Sequence, residues 1–108
     1  MQVIATSFWV KIMVDIYVGG FDDKDVKELL EYIKKELGYS EEDLEYSTIY
    51  DYDSLYDRFE EWLKESLADL WEKLKYYIDI DKMIRDEINY GGIIEFEFKG
   101  KKLYLELQ

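Results

Sequence analysis

Apolar and polar residues alternate over an unusual length at the start of the chain. Ile4, Thr6, Phe8, Val10, Ile12, Val14, Ile16 and Val18 share one parity, and Lys11, Asp15 and Tyr17 share the other with Trp9 and Met13. A period of two built on β-branched residues predicts a strand over 3–18, either continuous or bent near Ala5-Thr6-Ser7. Gly19-Gly20 ends it. Asp22 then opens a helix as N-cap, with a Phe21–Val26 hydrophobic staple and a buried stripe of Val26, Leu29, Leu30, Ile33 and Leu37. Gly38 suits the left-handed position that closes such a helix.

Ser40 is placed to cap a short helical turn over Glu41 to Glu45. Residues 46–52 fit either a short edge strand or an ordered loop. Asp53 then reads as the cap of a long helix reaching about Ile78, with Leu55, Phe59, Leu63, Leu67, Leu70, Leu74 and Tyr77 on its core face. About 24 residues of helix would span roughly 36 Å. A further short helix over Asp81 to Asn89 buries Met83, Ile84 and Ile88, and Gly91-Gly92 stops it. At the C-terminus Ile94, Phe96 and Phe98 alternate with charges, as do Leu103, Leu105 and Leu107. A two-residue Gly100-Lys101 turn of type II′ pairs Phe98 with Leu103, Phe96 with Leu105 and Ile94 with Leu107. The expected fold is therefore α+β in a single domain spanning 1–108. An antiparallel sheet of the long N-terminal strand plus the C-terminal hairpin carries two main helices and short helical segments packed on one face.

Composition narrows the chemistry. A chain of 108 residues with 48% apolar and 18% aromatic residues has enough core-forming side chains to fold. It holds no Cys and no His, so a thiolate metal site, a disulfide framework and the usual general base near neutral pH are excluded. The apolar N-terminus lacks a basic start and is interrupted by Lys11 and Asp15, which argues against a signal peptide. No uncharged run approaches the roughly 18 residues of a spanning helix. No cofactor is expected, and a cytoplasmic location is.

Charge is unevenly placed. The chain carries −12, and residues 41–61 alone hold nine carboxylates against Arg58, a net −8. Tyr39, Tyr46, Tyr50, Tyr52 and Tyr56 are interleaved with these acids. In the first helix the i,i+4 row Asp23, Lys27, Glu31, Lys35 alternates in sign. In the long helix the corresponding row is Asp57, Glu61, Glu65, Asp69, and only then Lys73. Three successive like-charge pairs cost about 1 kcal/mol together, which solubility alone does not require. A helical wheel puts Tyr76 inside this stripe and Trp62 at its edge. The expected partner-binding set is Glu41, Glu42, Asp43, Glu45, Tyr50, Asp51, Tyr52, Asp53, Asp57, Glu61, Glu65 and Asp69.

Two weaker patterns point to catalysis. Asp51-Tyr52-Asp53 and Asp79-Ile80-Asp81 are pairs of hard oxygen ligands, but the first fails as an EF-hand because Leu55, Tyr56 and Trp62 stand at the third-ligand, glycine and glutamate positions. Glu97-Phe98-Lys99 resembles the E-x-K half of the PD-(D/E)xK nuclease motif, without its Pro-Asp half. No metal site or catalytic residue is expected, and the chain reads as a non-enzyme.

A surface this acidic repels free nucleic acid and anionic membranes and attracts basic proteins. In size and composition the chain resembles the acidic DNA-mimic inhibitors of phages and mobile elements, such as anti-CRISPR and anti-restriction proteins, and nuclease immunity proteins or antitoxins. That resemblance implies a non-enzymatic inhibitor occupying the basic cleft of a nucleic-acid-binding enzyme or effector. A scaffold or oligomerisation module is the alternative reading, and a metal-dependent enzyme the third. A long first strand would also overhang the short hairpin, leaving Val3 to Trp9 to pair with a second copy in a homodimer, unless residues 46–52 cover it or the strand bends to pair locally.

Overall fold

The structure, a computed structural model, describes residues 3–6 and 13–107, with residues 3–6 and Met13 described by backbone alone. The N-terminal alternation belongs to two strands. β1 (Val3–Thr6) pairs antiparallel with β2 (Met13–Tyr17), placing Val3 opposite Ile16 and Ile4 opposite Asp15. The even-numbered parity therefore does not run through both strands: the continuous strand is corrected, and the alternative, a strand that turns back to pair locally, is the one observed. Phe8, Trp9, Val10 and Ile12 lie outside the described residues. The overhang that would have invited a second copy is paired within the chain from Val3 to Thr6, although β1 remains an edge of the sheet.

α1 (Asp23–Glu36) forms as its pattern dictates. Asp22 accepts the Asp25 amide at 2.8 Å while the Asp25 carboxylate accepts the Asp22 amide, a reciprocal capping box. Leu37 closes the helix and Gly38 follows at φ +77°, where a side chain would be strained. α2 (Glu41–Leu44) is one turn capped by Ser40 in a second capping box. β3 (Thr48–Tyr50) follows, and it lies in the centre of the sheet rather than at an edge: the strand order is β1-β2-β3, then β5 (Lys101–Glu106), then β4 (Ile94–Phe98). β3 runs parallel to β2 and antiparallel to β5, so the five-stranded sheet is mixed. The fold class is α+β as expected, and the all-antiparallel sheet is corrected.

α3 (Tyr52–Leu67) is capped by Asp51, two residues earlier than Asp53, and ends after sixteen residues at Ala68, whose φ of 47° and ψ of −116° break the helix. Propensity alone would continue it, since alanine is the best helix former. Tertiary geometry overrides this. A straight helix to Ile78 would be roughly 36 Å long, whereas the longest strand among the described residues, six residues, spans about 20 Å. The chain instead reverses through a 3₁₀ turn (Ala68–Leu70), α4 (Trp71–Leu74) and a second 3₁₀ turn (Lys75–Tyr77), and returns as α5 (Ile80–Tyr90), capped by Asp79. Leu70 and Leu74 thereby leave the core, and Tyr77 is 85% exposed.

The helices cover both faces of the sheet, which corrects the one-face packing. Val14, Ile16, Ile49, Leu103, Leu105, Phe96 and Phe98 meet Val26, Leu29, Leu30 and Ile33 of α1 and Leu44 of α2. The alternate strand positions Tyr50 and Tyr104, with Tyr17 at the margin, meet Leu55, Phe59 and Leu63 of α3 and Ile80 and Ile84 of α5. Strands β2, β3 and β4 run parallel to one another, and both crossovers advance across the sheet in the same direction. Lying on opposite faces, they are of opposite hand, so one of them takes the rare left-handed form.

The C-terminal hairpin pairs Phe98 with Lys101, Phe96 with Leu103 and Ile94 with Leu105, two residues away from the expected register. Lys99 (φ 52°) and Gly100 (φ 75°) form the central pair, and two positive φ values in succession define a type I′ turn. A shift of two preserves every side chain's face, so the apolar pattern accepts both registers. The Lys99 ammonium is held by Asp25 at 3.0 Å and also by Glu28, which ties the turn to α1.

Candidate functional site

The α3 cap sets the site. The Asp51 carboxylate accepts the amides of Ser54 at 2.9 Å and Gly19 at 3.0 Å, fixing the helix start against the end of β2. Along α3 from this point, Leu55, Phe59 and Leu63 face the sheet. The flanking stripe Ser54, Asp57, Arg58 and Glu61 follows i, i+3, i+4, i+7 and forms the wall of a cleft of about 390 Å³. Its floor is Tyr17 and Tyr50, register partners on the parallel pair β2–β3, with rings stacked at 5.5 Å and 12°. The Arg58 guanidinium stands 5.9 Å from the centre of the Tyr50 ring and 3.0 Å from Glu106 of β5. Burial pushes the Tyr50 hydroxyl up to about 12 despite the offsetting charge of Arg58, so the phenol is neutral across the physiological range.

The expected binding residues fall into two groups. Glu41 is paired with Lys34 at 3.0 Å, Glu42 is exposed, Asp43 closes the α2 capping box, and Glu45 is half-buried beside it. The Ser40 amide bonded to Asp43 holds that carboxyl below its ordinary range. This group sits with α2 on the α1 side of the sheet, because Leu44 packs in the first core. Asp51, Tyr52, Asp53, Asp57, Glu61 and Glu65 belong to the α3 side. Threading β3 through the middle of the sheet puts the two acid groups on opposite layers, so they do not lie side by side.

Tyr50 is corrected from an available ring to a buried one, 5% exposed. Tyr52 is at the surface, its hydroxyl donating to Asp81 and its ring packed on Tyr104 at 5.9 Å. Tyr39 is half-buried against the first core, whereas Tyr46 is 62% exposed. Asp57, Glu61 and Glu65 are exposed on α3 and, among the described residues, take part in no ion pair. Asp69 lies past the break and off that helix, as does Tyr76, which is 82% exposed.

Asp51 and Asp79 are helix caps, and among the described residues no three carboxylates converge as a metal site requires. Glu97 lies between the buried Phe96 and Phe98 and so faces the α5 side of the sheet, while Lys99 turns to α1, which separates the acid from the amine. Among the described residues no helix is long and apolar enough to cross a membrane.

Tyr17, Ser54 and Arg58 were not singled out from sequence. Their signal was present in part: Tyr17, Tyr50 and Tyr104 each hold the position opposite the aliphatic face of their strand, and large rings there indicate a second covered face. No protein-family model matches the chain, and no curated protein and no solved structure matches it.

Proposed function

We propose that this is a small non-enzymatic binding protein that inserts the outer face of α3 into a basic, nucleic-acid-binding groove of a partner protein and so inhibits it. The observation that carries this reading is the row Asp57, Glu61, Glu65, exposed and outside any ion pair among the described residues. On α1, by contrast, Asp25 and Glu28 are both paired with Lys99. Successive carboxylates on α3 rise by about 6 Å, sparser than the 3.4 Å per phosphate of a duplex strand. The reading is therefore a local acidic contact rather than imitation of a whole duplex. Action in the cytoplasm, with no direct binding of nucleic acid, belongs to the same proposal.

The test is affinity purification from cell extract with the wild type and with the triple reversal D57K/E61K/E65K, alongside thermal melting of both. A basic partner should be retained by the wild type, lost by the equally stable triple variant, and released by a tenfold rise in salt. Retention by the triple variant, or indifference to salt, would sink the reading.

An oligomerisation module is the second reading, and one observation favours it. Trp62, Leu70, Tyr76 and Tyr77 are all more than half exposed. Leu70, Tyr76 and Tyr77 lie within the segment 68–77, which balances Asp69 and Glu72 against Lys73 and Lys75. A neutral apolar surface is where two strongly acidic copies would repel each other least.

A further inference from the structure

We infer that the cleft between α3 and β2 receives one arginine side chain of the partner protein. This rests on the acidic-contact reading and makes it specific. A guanidinium is planar and stacks on aromatic faces, and it pairs with carboxylates through two parallel hydrogen bonds. The cleft offers both partners: the half-buried ring of Tyr17, backed by the buried Tyr50 stacked on it, and two exposed carboxylates, Asp57 and Glu61, one helical turn apart on the wall. Its volume of about 390 Å³ lies within the size range of specific small-ligand sites.

The molecule already contains one example of the interaction. Arg58 stands 5.9 Å over the Tyr50 ring with the Glu106 carboxylate 3.0 Å away. An incoming guanidinium on the Tyr17 side would repeat that arrangement, with Asp57 and Glu61 in the role of Glu106. Arg58 does not bar entry by charge, because Glu106 neutralises it. The two carboxylates, unpaired among the described residues, make the cleft repel phosphates, so the site discriminates against nucleic acid and in favour of a basic protein. Lysine would satisfy the charge but has no plane to stack and no fork to match a carboxylate.

The test is an NMR titration of isotopically labelled protein with the blocked amino acid amides of arginine, lysine and citrulline. Citrulline keeps the shape of arginine and removes the charge. Arginine should give saturable shifts at the Tyr17 ring and at Asp57 and Glu61, with lysine severalfold weaker and citrulline silent. The double variant D57N/E61Q, altered only at exposed helix positions, should melt as the wild type does and bind arginine about tenfold more weakly, the equivalent of ~1.4 kcal/mol. Equal shifts from arginine and lysine, spread over Glu65 and Glu42 as well, would overturn the arginine site while leaving the acidic contact standing. Equal binding of citrulline would overturn the site too, as ring packing without charge. Silence from both cations would count against the site and the acidic contact together.

Discussion

Asp51 accepts the backbone amide of Gly19 across the C-terminal ends of β2 and β3, and the same carboxylate caps α3. One side chain therefore joins the parallel strand pair to the helix that walls the cleft. Burial raises its pKa, but the Gly19 and Ser54 amides, the Ser54 hydroxyl and the charge of Lys101 together outweigh burial, and the net shift is downward.

Replacing Asp51 by Ala should cost about 1–2 kcal/mol at neutral pH, the value of a lost helix cap. Asn, which caps but has only one acceptor oxygen, should cost less. The sign of the pH effect follows from the lowered folded pKa. The unfolded chain binds the proton first, so the contribution is full above the ordinary carboxylate pKa, about 4, and fades as pH falls through the folded value. Urea denaturation from pH 7 down to pH 3 should show the gap between wild type and Asp51→Asn closing at the acid end. A gap that widens on acidification would contradict the assigned bonds.

Ala68 ends α3 at φ 47° and ψ −116°, backbone that glycine adopts without a Cβ clash. Such strain costs about 1–3 kcal/mol, and glycine's extra chain entropy costs about 0.5–1 kcal/mol. Ala68→Gly should therefore stabilise the protein by about 1 kcal/mol, and Ala68→Val should destabilise it. A continuous helix through residue 68 predicts the opposite for glycine, a loss of about 1 kcal/mol. Chemical denaturation of the two variants separates these outcomes.

The hairpin register is tested at Lys99. In the observed type I′ turn this residue has φ 52°. Asparagine tolerates positive φ and valine does not. In a Gly100-Lys101 turn, residue 99 would sit in extended strand, where valine is favoured. Lys99→Asn and Lys99→Val both lose the contacts to Asp25 and Glu28, so their difference isolates the backbone. The Asn variant should melt several degrees above the Val variant. The reverse order would return the strands to the other register.

What was legible in the sequence was local. Asp22 and Ser40 announce their capping boxes, and Val26, Leu29, Leu30 and Ile33 mark one face of α1, because a helix is written in residues three and four apart. At the N-terminus the pattern left open whether the strand is continuous or turns back to pair locally. Alternation continues through Ser7 to Ile12, and no Gly, Pro, Asn or Asp there signals a reversal. β3, only three residues long, is too short to show a period, and its central place depends on partners distant in sequence. The acids on α3 were visible as a row on one helix. The cleft was not, because Tyr17 and Tyr50 become neighbours only through the parallel pairing of β2 with β3. Nor does local pattern say which face of a sheet a helix covers, and the right-handed rule favours one face for both crossovers here.

Leu63 and Leu70 separate the long helix expected from sequence from the broken one observed. They are seven residues apart and would lie on the same face of a continuous helix. In the structure Leu63 is 7% exposed within the second core and Leu70 is 52% exposed beyond the break at Ala68. Leu63→Ala removes buried atoms and leaves a cavity beside Phe59, Ile80 and Ile84, so it should cost about 2–4 kcal/mol. Leu70→Ala removes a side chain already half in water and should cost under about 1 kcal/mol, since surface substitutions rarely exceed that. The ratio of the two is the diagnostic, because both variants make the same chemical change at helix-compatible positions. Equal, large losses would restore Leu70 to the core and require α3 to continue towards Ile78. In that case Asp69 would return to the row of Asp57, Glu61 and Glu65, and the acidic face offered to a partner would be a turn longer.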